Sequence, residues 1–155
     1  IDIKAFTEAF YQNQLNGSLK AVLNNCASVK EKGRHLEITT LIIPGLNDEQ
    51  TEIRELARWL SSIDKNIPLH LSRYFPNYKM KIKQTPLPTL EMAWETAREY
   101  LNHVFIGNAP ELGKTNTFCS YCGEILIKRN FYNTIKINMQ DGKCAKCDTS
   151  LVALL

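Results

Sequence analysis

The chain has 155 residues, of which 44% are hydrophobic and 23% charged, and a formal net charge of +3. That is the composition of a folded domain rather than a disordered one. No run approaches the roughly 20 apolar residues of a spanning helix, and no basic-then-apolar leader pattern is visible, so we expect a cytoplasmic protein that does not enter a membrane. The sequence opens on Ile1, as though inside a strand, and four of its five cysteines fall after residue 118. We therefore expect a piece of a longer protein.

Ile1–Phe6 (IDIKAF) alternates apolar and charged residues, as a short strand does. Thr7 opens a mixed stretch that Asn16 and Gly17 terminate. From Ser18 the spacing predicts a helix. Leu19, Val22, Leu23, Cys26 and Val29 share one face, Ser18 can cap the free N–H groups, and Gly33 closes the end. Cys26 lies on that stripe and reads as a small core hydrophobe. The β-branched run His35–Ile43 reads as a strand stopped by Pro44 and Gly45. Asn47 or Asp48 then caps a helix with Ile53, Leu56, Ala57, Leu60 and Ile63 on one face, and Asp48, Glu49 and Glu52 at its positive end.

Ile67–Arg73 is a third strand. Tyr74–Pro88 is expected to be a loop, because Pro86 and Pro88 oppose a helix there, and Thr89 caps a helix running to about Asn102. His103–Ile106 is a fourth strand, ending at Gly107 and Asn108. Alternating strands and helices at these intervals predict parallel βαβ units. Chemistry then belongs at the strand C-terminal ends, namely Asp2–Phe6, Thr39–Gly45, Ser72–Tyr78 and Gly107–Pro110. Trp59 and Trp94 fall on helices and read as packing residues. In the loop, Tyr74, Phe75 and Tyr78 interleave with Lys79, Lys81 and Lys83. That pattern suits a solvated loop anchored by its aromatics, or one that covers a site and steers a macromolecule.

The tail holds two C-x-x-C knuckles, Cys119/Cys122 and Cys144/Cys147, with 21 residues between them, just outside the roughly 15–20 usual for a four-Cys zinc site. Gly123 and Asp148 stand where each knuckle needs positive φ. Ile125–Ile127 and Thr134–Ile137 can pair as a hairpin that brings the knuckles together. Four thiolates at such spacing predict a closed, structural zinc ribbon. Iron fits the same spacing. Disulfides would need an oxidising compartment, and a redox C-x-x-C would need a helix N-terminus. Residues 113–155 carry six basic and three acidic side chains, against 13 of each in residues 1–112. Four thiolates and one Zn²⁺ remove most of that excess, which weakens the case for nucleic acid. A ribbon on an α/β platform that binds nucleic acid or protein stays as the alternative reading.

Several strings, in order along nearly the whole chain, resemble one family. They are Asp2-Ile3-Lys4-Ala5-Phe6, Glu37 through Asp48 (EITTLIIPGLND), Pro68 through Arg73 (PLHLSR), Gly107-Asn108 and the tail. Together they resemble radical S-adenosylmethionine enzymes of the pyruvate formate-lyase activating type, and most closely the AmmeMemoRadiSam system radical enzymes. The resemblance implies an α/β fold, the second half of a partial (β/α)6 TIM-like barrel with parallel strands over 1–112, followed by the zinc ribbon over 113–155. It implies a parent enzyme that uses a [4Fe-4S] cluster to cleave S-adenosylmethionine reductively to a 5′-deoxyadenosyl radical. The family's C-x3-C-x2-C cluster motif is absent, so the ligands are expected outside this chain, which alone should neither assemble the cluster nor cleave the cosubstrate.

What the resemblance leaves here is part of a cradle for S-adenosylmethionine. Asp2 and Lys4 match the family's Asp-x-Lys at the methionyl end. A carboxylate for the α-ammonium and an ammonium for the α-carboxylate make two charge-assisted bonds to one zwitterion. An exposed pair on a frayed strand is the plainer alternative. Thr39 stands where the activating enzymes place a basic residue, and Phe75 where a ribose-contacting His is expected, so both contacts depart from the family's pattern. The resemblance implies an electron donor for the parent and offers a protein glycyl-radical site as one candidate substrate, although neither fold nor family fixes the substrate. As an isolated chain, an unpaired edge at Ile1–Phe6 and an uncovered inner face predict self-association or a partly molten state.

Overall fold

The computed structural model describes residues 1–130 and 133–150. The last five residues of the expected 113–155 unit therefore lie outside the described residues. Helix α1 (Glu8–Leu15) is capped by Thr7, whose hydroxyl accepts from the Phe10 N–H, and ends at Asn16 in the left-handed region. Helix α2 (Leu19–Glu31) is capped by Ser18 and terminated by Gly33 at φ 65°, as its sequence demands. Cys26 is fully buried on its inner face.

Strands β1 (Ile38–Ile42), β2 (Leu69–Arg73) and β3 (Val104–Gly107) form a parallel sheet in sequential order, linked through α3 (Gln50–Asp64) and α4 (Leu87–Arg98). The order of elements is the alternation that the sequence predicts. Ile1–Phe6, however, is no full strand. It meets β1 through a single parallel bridge, Asp2 to Thr39, held by Ile3 N–H to Thr39 O and Thr39 N–H to Ile1 O, both 2.9 Å. The Ile1 ammonium donates to Glu37 O at one end, and the Tyr11 hydroxyl takes the Lys4 N–H at the other, so the ladder stops after one rung.

Several boundaries also differ from expectation, β1 beginning at Ile38 rather than His35 and β2 at Leu69 rather than Ile67. Neither Asn47 nor Asp48 caps α3: Asp48 accepts from Gly45 N–H, Asn47 turns inward, and Glu49 holds the cap position without a side-chain bond. Glu52 accepts the Phe6 N–H at 2.5 Å, and its burial raises its pKa despite that bond. Helix α4 begins at Leu87, two residues before Thr89, because Pro88 sits in the first turn where no N–H is needed. It also ends at Arg98, short of Asn102.

One face of the sheet, with Ile38, Ile42, Leu69, Leu71, Val104 and Ile106, packs on the helices. Helix α3 contributes Ile53, Leu56, Ala57 and Leu60 to that core, and Trp59 and Trp94 pack at its margin. Strand alternation turns Thr39, Leu41, His70, Ser72, Phe105 and Gly107 to the opposite face. Beyond a short 3₁₀ turn (Pro110–Leu112), an antiparallel unit follows: β4 (Thr117–Phe118), β5 (Ile125–Asn130), β6 (Asn133–Lys136), β7 (Met139–Gln140) and β8 (Lys143–Cys144). It has its own small core of Leu126, Ile127, Cys119 and Cys144.

Candidate functional site

The expected hairpin forms as β5 against β6, with Ile127 opposite Lys136. A second hairpin, β7–β8, turns through Asp141 and Gly142, both at positive φ. Its last strand delivers Cys144 to the first knuckle. The two knuckles are built alike: Gly123 N–H returns to Cys119 O (3.0 Å) and Asp148 N–H to Cys144 O (2.9 Å), with φ of 73° at Gly123 and 55° at Asp148. All four Sγ atoms lie within 4.8 Å of one another, and the pairs Cys119–Cys147 and Cys122–Cys144 are each 3.6 Å apart. Thiolates at Zn–S distance around one tetrahedral ion sit roughly 3.8 Å apart, so the set fits a single metal. A cluster of several irons would hold its sulfurs farther apart, since metal–metal separations intervene.

Cys147 and Cys122 are shifted in opposite directions. The Thr149 hydroxyl and backbone N–H draw Cys147 down to about 6. Cys122 is lowered by the Glu124 backbone, yet burial and hydrogen bonds to the three other sulfurs push it up to about 12. Four sulfurs this close cannot all ionise without a cation, and a divalent ion supplies that charge.

The second cluster of expected site residues lies on the free face of the sheet. Ile3 and Ala5 are buried, which turns Asp2 and Lys4 outward on the Thr39 side. Lys4 Nζ pairs with Asp2 Oδ2 at 2.6 Å, both side chains nearly half exposed. Asp2, Lys4 and Thr39 are thus brought together, whereas Phe75 stands apart on the loop after β2, with the Arg73 guanidinium 5.0 Å from its ring. Two residues to which the sequence assigns no site role flank these side chains. Asn47, buried, donates from Nδ2 to Lys4 O (2.6 Å) and Leu41 O (2.8 Å) and accepts from Ile43 N–H (2.7 Å). Glu37, at the other end of β1, takes His35 on Oε1 (3.0 Å) and His70 on Oε2 (2.8 Å). Burial raises the Glu37 carboxyl, but the two imidazoles outweigh it and hold it below the usual range.

Past the C-terminal end of β3, a cavity of about 790 Å³ opens between the sheet and β5, bounded by Phe75, Gly107, Asn108, Pro110 and Arg129. Gly107 keeps its floor low, since a Cβ there would lie 3.0 Å from Ser72 Oγ. The loop that carries Phe75 leaves Tyr78 almost wholly exposed, so of its aromatics only Tyr74 is an anchor.

No protein-family model matches the chain. It is 34% identical over 160 residues to an uncharacterized protein of Methanocaldococcus jannaschii, an alignment covering all of this chain and 48% of that protein. The chain thus spans about half the length of the curated relative it matches. Among solved structures it is similar to a domain of pyruvate-formate lyase-activating enzyme from Bacteroides vulgatus, with a TM-score of 0.60 and 21% identity over 70% of this chain and 65% of that one. At that identity the likeness speaks for a related fold: an α/β arrangement with a parallel sheet, here accompanied by a four-cysteine group able to bind a metal. Among the described residues no helix is long and apolar enough to cross a membrane.

Proposed function

We propose that residues 1–112 are part of a radical S-adenosylmethionine enzyme barrel of the activating-enzyme type, and that 113–155 form a structural zinc ribbon attached to it. The observation that carries this reading is the meeting of Asp2, Lys4 and Thr39 at one edge of a parallel sheet whose fold is related to an activating-enzyme domain. In this reading Asp2 accepts from the α-ammonium of S-adenosylmethionine and Lys4 donates to its α-carboxylate. The ligand replaces the Asp2–Lys4 contact, an exposed ion pair whose loss costs about 0–1 kcal/mol. The Thr39 hydroxyl, half-buried beside them, supplies a third contact without charge.

A [4Fe-4S] cluster, when bound to the whole protein, would supply the electron that divides the cosubstrate into methionine and a 5′-deoxyadenosyl radical. The residues here do not fit such a cluster: four cysteines converge on one ion, and Cys26 is sealed in the core, where burial raises its thiol pKa. We therefore assign this chain the binding and orienting of the cosubstrate. The four-cysteine site, closed by its own ligands, has no open position for chemistry.

The test is isothermal titration of the full-length protein with S-adenosylmethionine, comparing wild type with Asp2→Asn and Lys4→Met. Each substitution should weaken binding at least tenfold without altering the fold. Unchanged affinity in both variants would refute the cradle. Formation of 5′-deoxyadenosine under anaerobic reducing conditions tests the activity separately.

A further inference from the structure

Arg129 stands on β5, yet its guanidinium lies 5.4 Å from the centre of the Phe105 ring, on the face of the sheet away from the helices. Its Nη1 donates to Thr115 O (3.1 Å) and to Thr117 Oγ1 (2.6 Å), both neutral acceptors. Among the described residues no carboxylate forms an ion pair with it. Glu37, which lines the adjoining cavity of about 380 Å³, is already held by His35 and His70. Burial lowers the Arg129 pKa, and the Glu37 charge offsets only part of that. A cation withdrawn from water without a counter-charge is costly, and an anionic partner removes the cost.

The two cavities of this groove share Ile106, Gly107, Thr115 and Arg129, which places Arg129 at their common border. The larger cavity combines apolar walls, Phe75, Ala109 and Pro110, with the polar side chains of Asn108, whose Nδ2 reaches Arg73 O at 3.4 Å, and Asn116. Asn116 uses its Oδ1 on the Arg129 backbone N–H (2.8 Å), and its amide N–H groups have no partner among the described residues. Apolar walls with a few converging polar groups are the usual make-up of a small-molecule site.

We propose that this groove binds an organic anion, a carboxylate or a phosphate monoester with an apolar body, its charged head paired to Arg129 and its body against Phe75 and Pro110. A guanidinium fork suits either head group. The groove adds a substrate class to the function proposed above. As a substrate site it rests on that function, but its binding is measured without cluster or S-adenosylmethionine, so either idea can fail alone.

The experiment is calorimetric titration of the full-length, zinc-loaded protein at constant ionic strength with three probes: benzoate, phenyl phosphate and inorganic phosphate. Saturable one-site binding of benzoate or phenyl phosphate is expected, and which of the two binds more tightly distinguishes the head group. Arg129→Gln should weaken it at least tenfold and Arg129→Lys by less. Phe75→Ala, on an exposed loop, should weaken the two aromatic probes several-fold and leave inorganic phosphate alone. Absence of saturable binding by all three probes overturns the proposal, as does unchanged affinity in an Arg129→Gln protein that retains its zinc. Should that variant lose zinc, unchanged affinity of Phe75→Ala for both aromatic probes overturns it instead.

Discussion

Asn47 and Lys4, 43 positions apart in the chain, are joined by a 2.6 Å hydrogen bond from the Asn47 amide to the Lys4 carbonyl. The same side chain bonds Leu41 O and Ile43 N–H, so one buried residue fixes the end of β1 against the segment carrying Asp2 and Lys4. Asn47→Ala strands three backbone groups and should cost about 2–4 kcal/mol. Asp48→Ala, which releases only the exposed Gly45 N–H, should cost under about 1 kcal/mol. Urea unfolding of both variants checks the contrast. Affinity for S-adenosylmethionine should fall with Asn47→Ala and stay with Asp48→Ala.

One zinc per chain is expected by elemental analysis, and serine at any of Cys119, Cys122, Cys144 or Cys147 should abolish it. Cys26→Ser should retain the zinc while losing about 1–3 kcal/mol, because a hydroxyl replaces a thiol in an apolar core. Chelation should open the amides of β5–β8 to hydrogen exchange and leave β1–β3 protected, since the two hydrophobic clusters are separate. A stable metal-free tail would count against the closed site.

His103 sets an acid limit. Its side chain is buried beside Arg98, and burial first, then that cation, lower its pKa to about 4 from the ordinary 6.5. A folded pKa below the unfolded one means that the unfolded chain binds the proton first. Stability is complete above pH 6.5 and declines as pH falls through 6.5 toward 4, by roughly 3 kcal/mol in all. His103→Gln should flatten unfolding free energy across that window. An equally steep profile in the variant would contradict the assignment.

The legible part of this molecule is the part written in periodicity. The stripes of α2 and α3, the β-branched run of β1 and the spacing of the two knuckles each repeat one physical demand at fixed intervals, and the structure meets all of them. Single residues that act across the chain were less so. Asn47 sits where a cap is expected, and only the fold reveals that its partners are Lys4, Leu41 and Ile43. Arg129 reads as one more charge on a basic tail until β5 folds over Phe105. The Asp141–Gly142 turn is legible in the sequence, since this dipeptide favours a tight hairpin. Pro88 is ambiguous in the sequence because a proline stops a helix interior yet suits a first turn.

The edge at Ile1–Phe6 makes a further prediction. With a single bridge to β1 and a largely uncovered face at Asp2, Lys4 and His70, the 155-residue chain taken alone should self-associate as its concentration rises. Exposed Ile135 and Ile137 add to that tendency. Light scattering coupled to sizing measures it, and a sharp monomer at every concentration would be the contrary result.

Thr85 closes a loop on itself. Its N–H bonds Tyr74 O (3.1 Å), its hydroxyl takes Tyr74 N–H (3.0 Å) and donates to Ile42 O (2.6 Å), and its carbonyl receives Arg73 Nε (2.9 Å). Segment 75–84 therefore leaves the sheet and rejoins it at one fixed knot. What lies between can lengthen, shorten or change sequence without moving a strand, since doubling a flexible loop adds only about 0.6 kcal/mol of closure cost. Evolution or a designer can thus replace the rim of the groove, Phe75 included, as a cassette, while the scaffold beneath keeps its register.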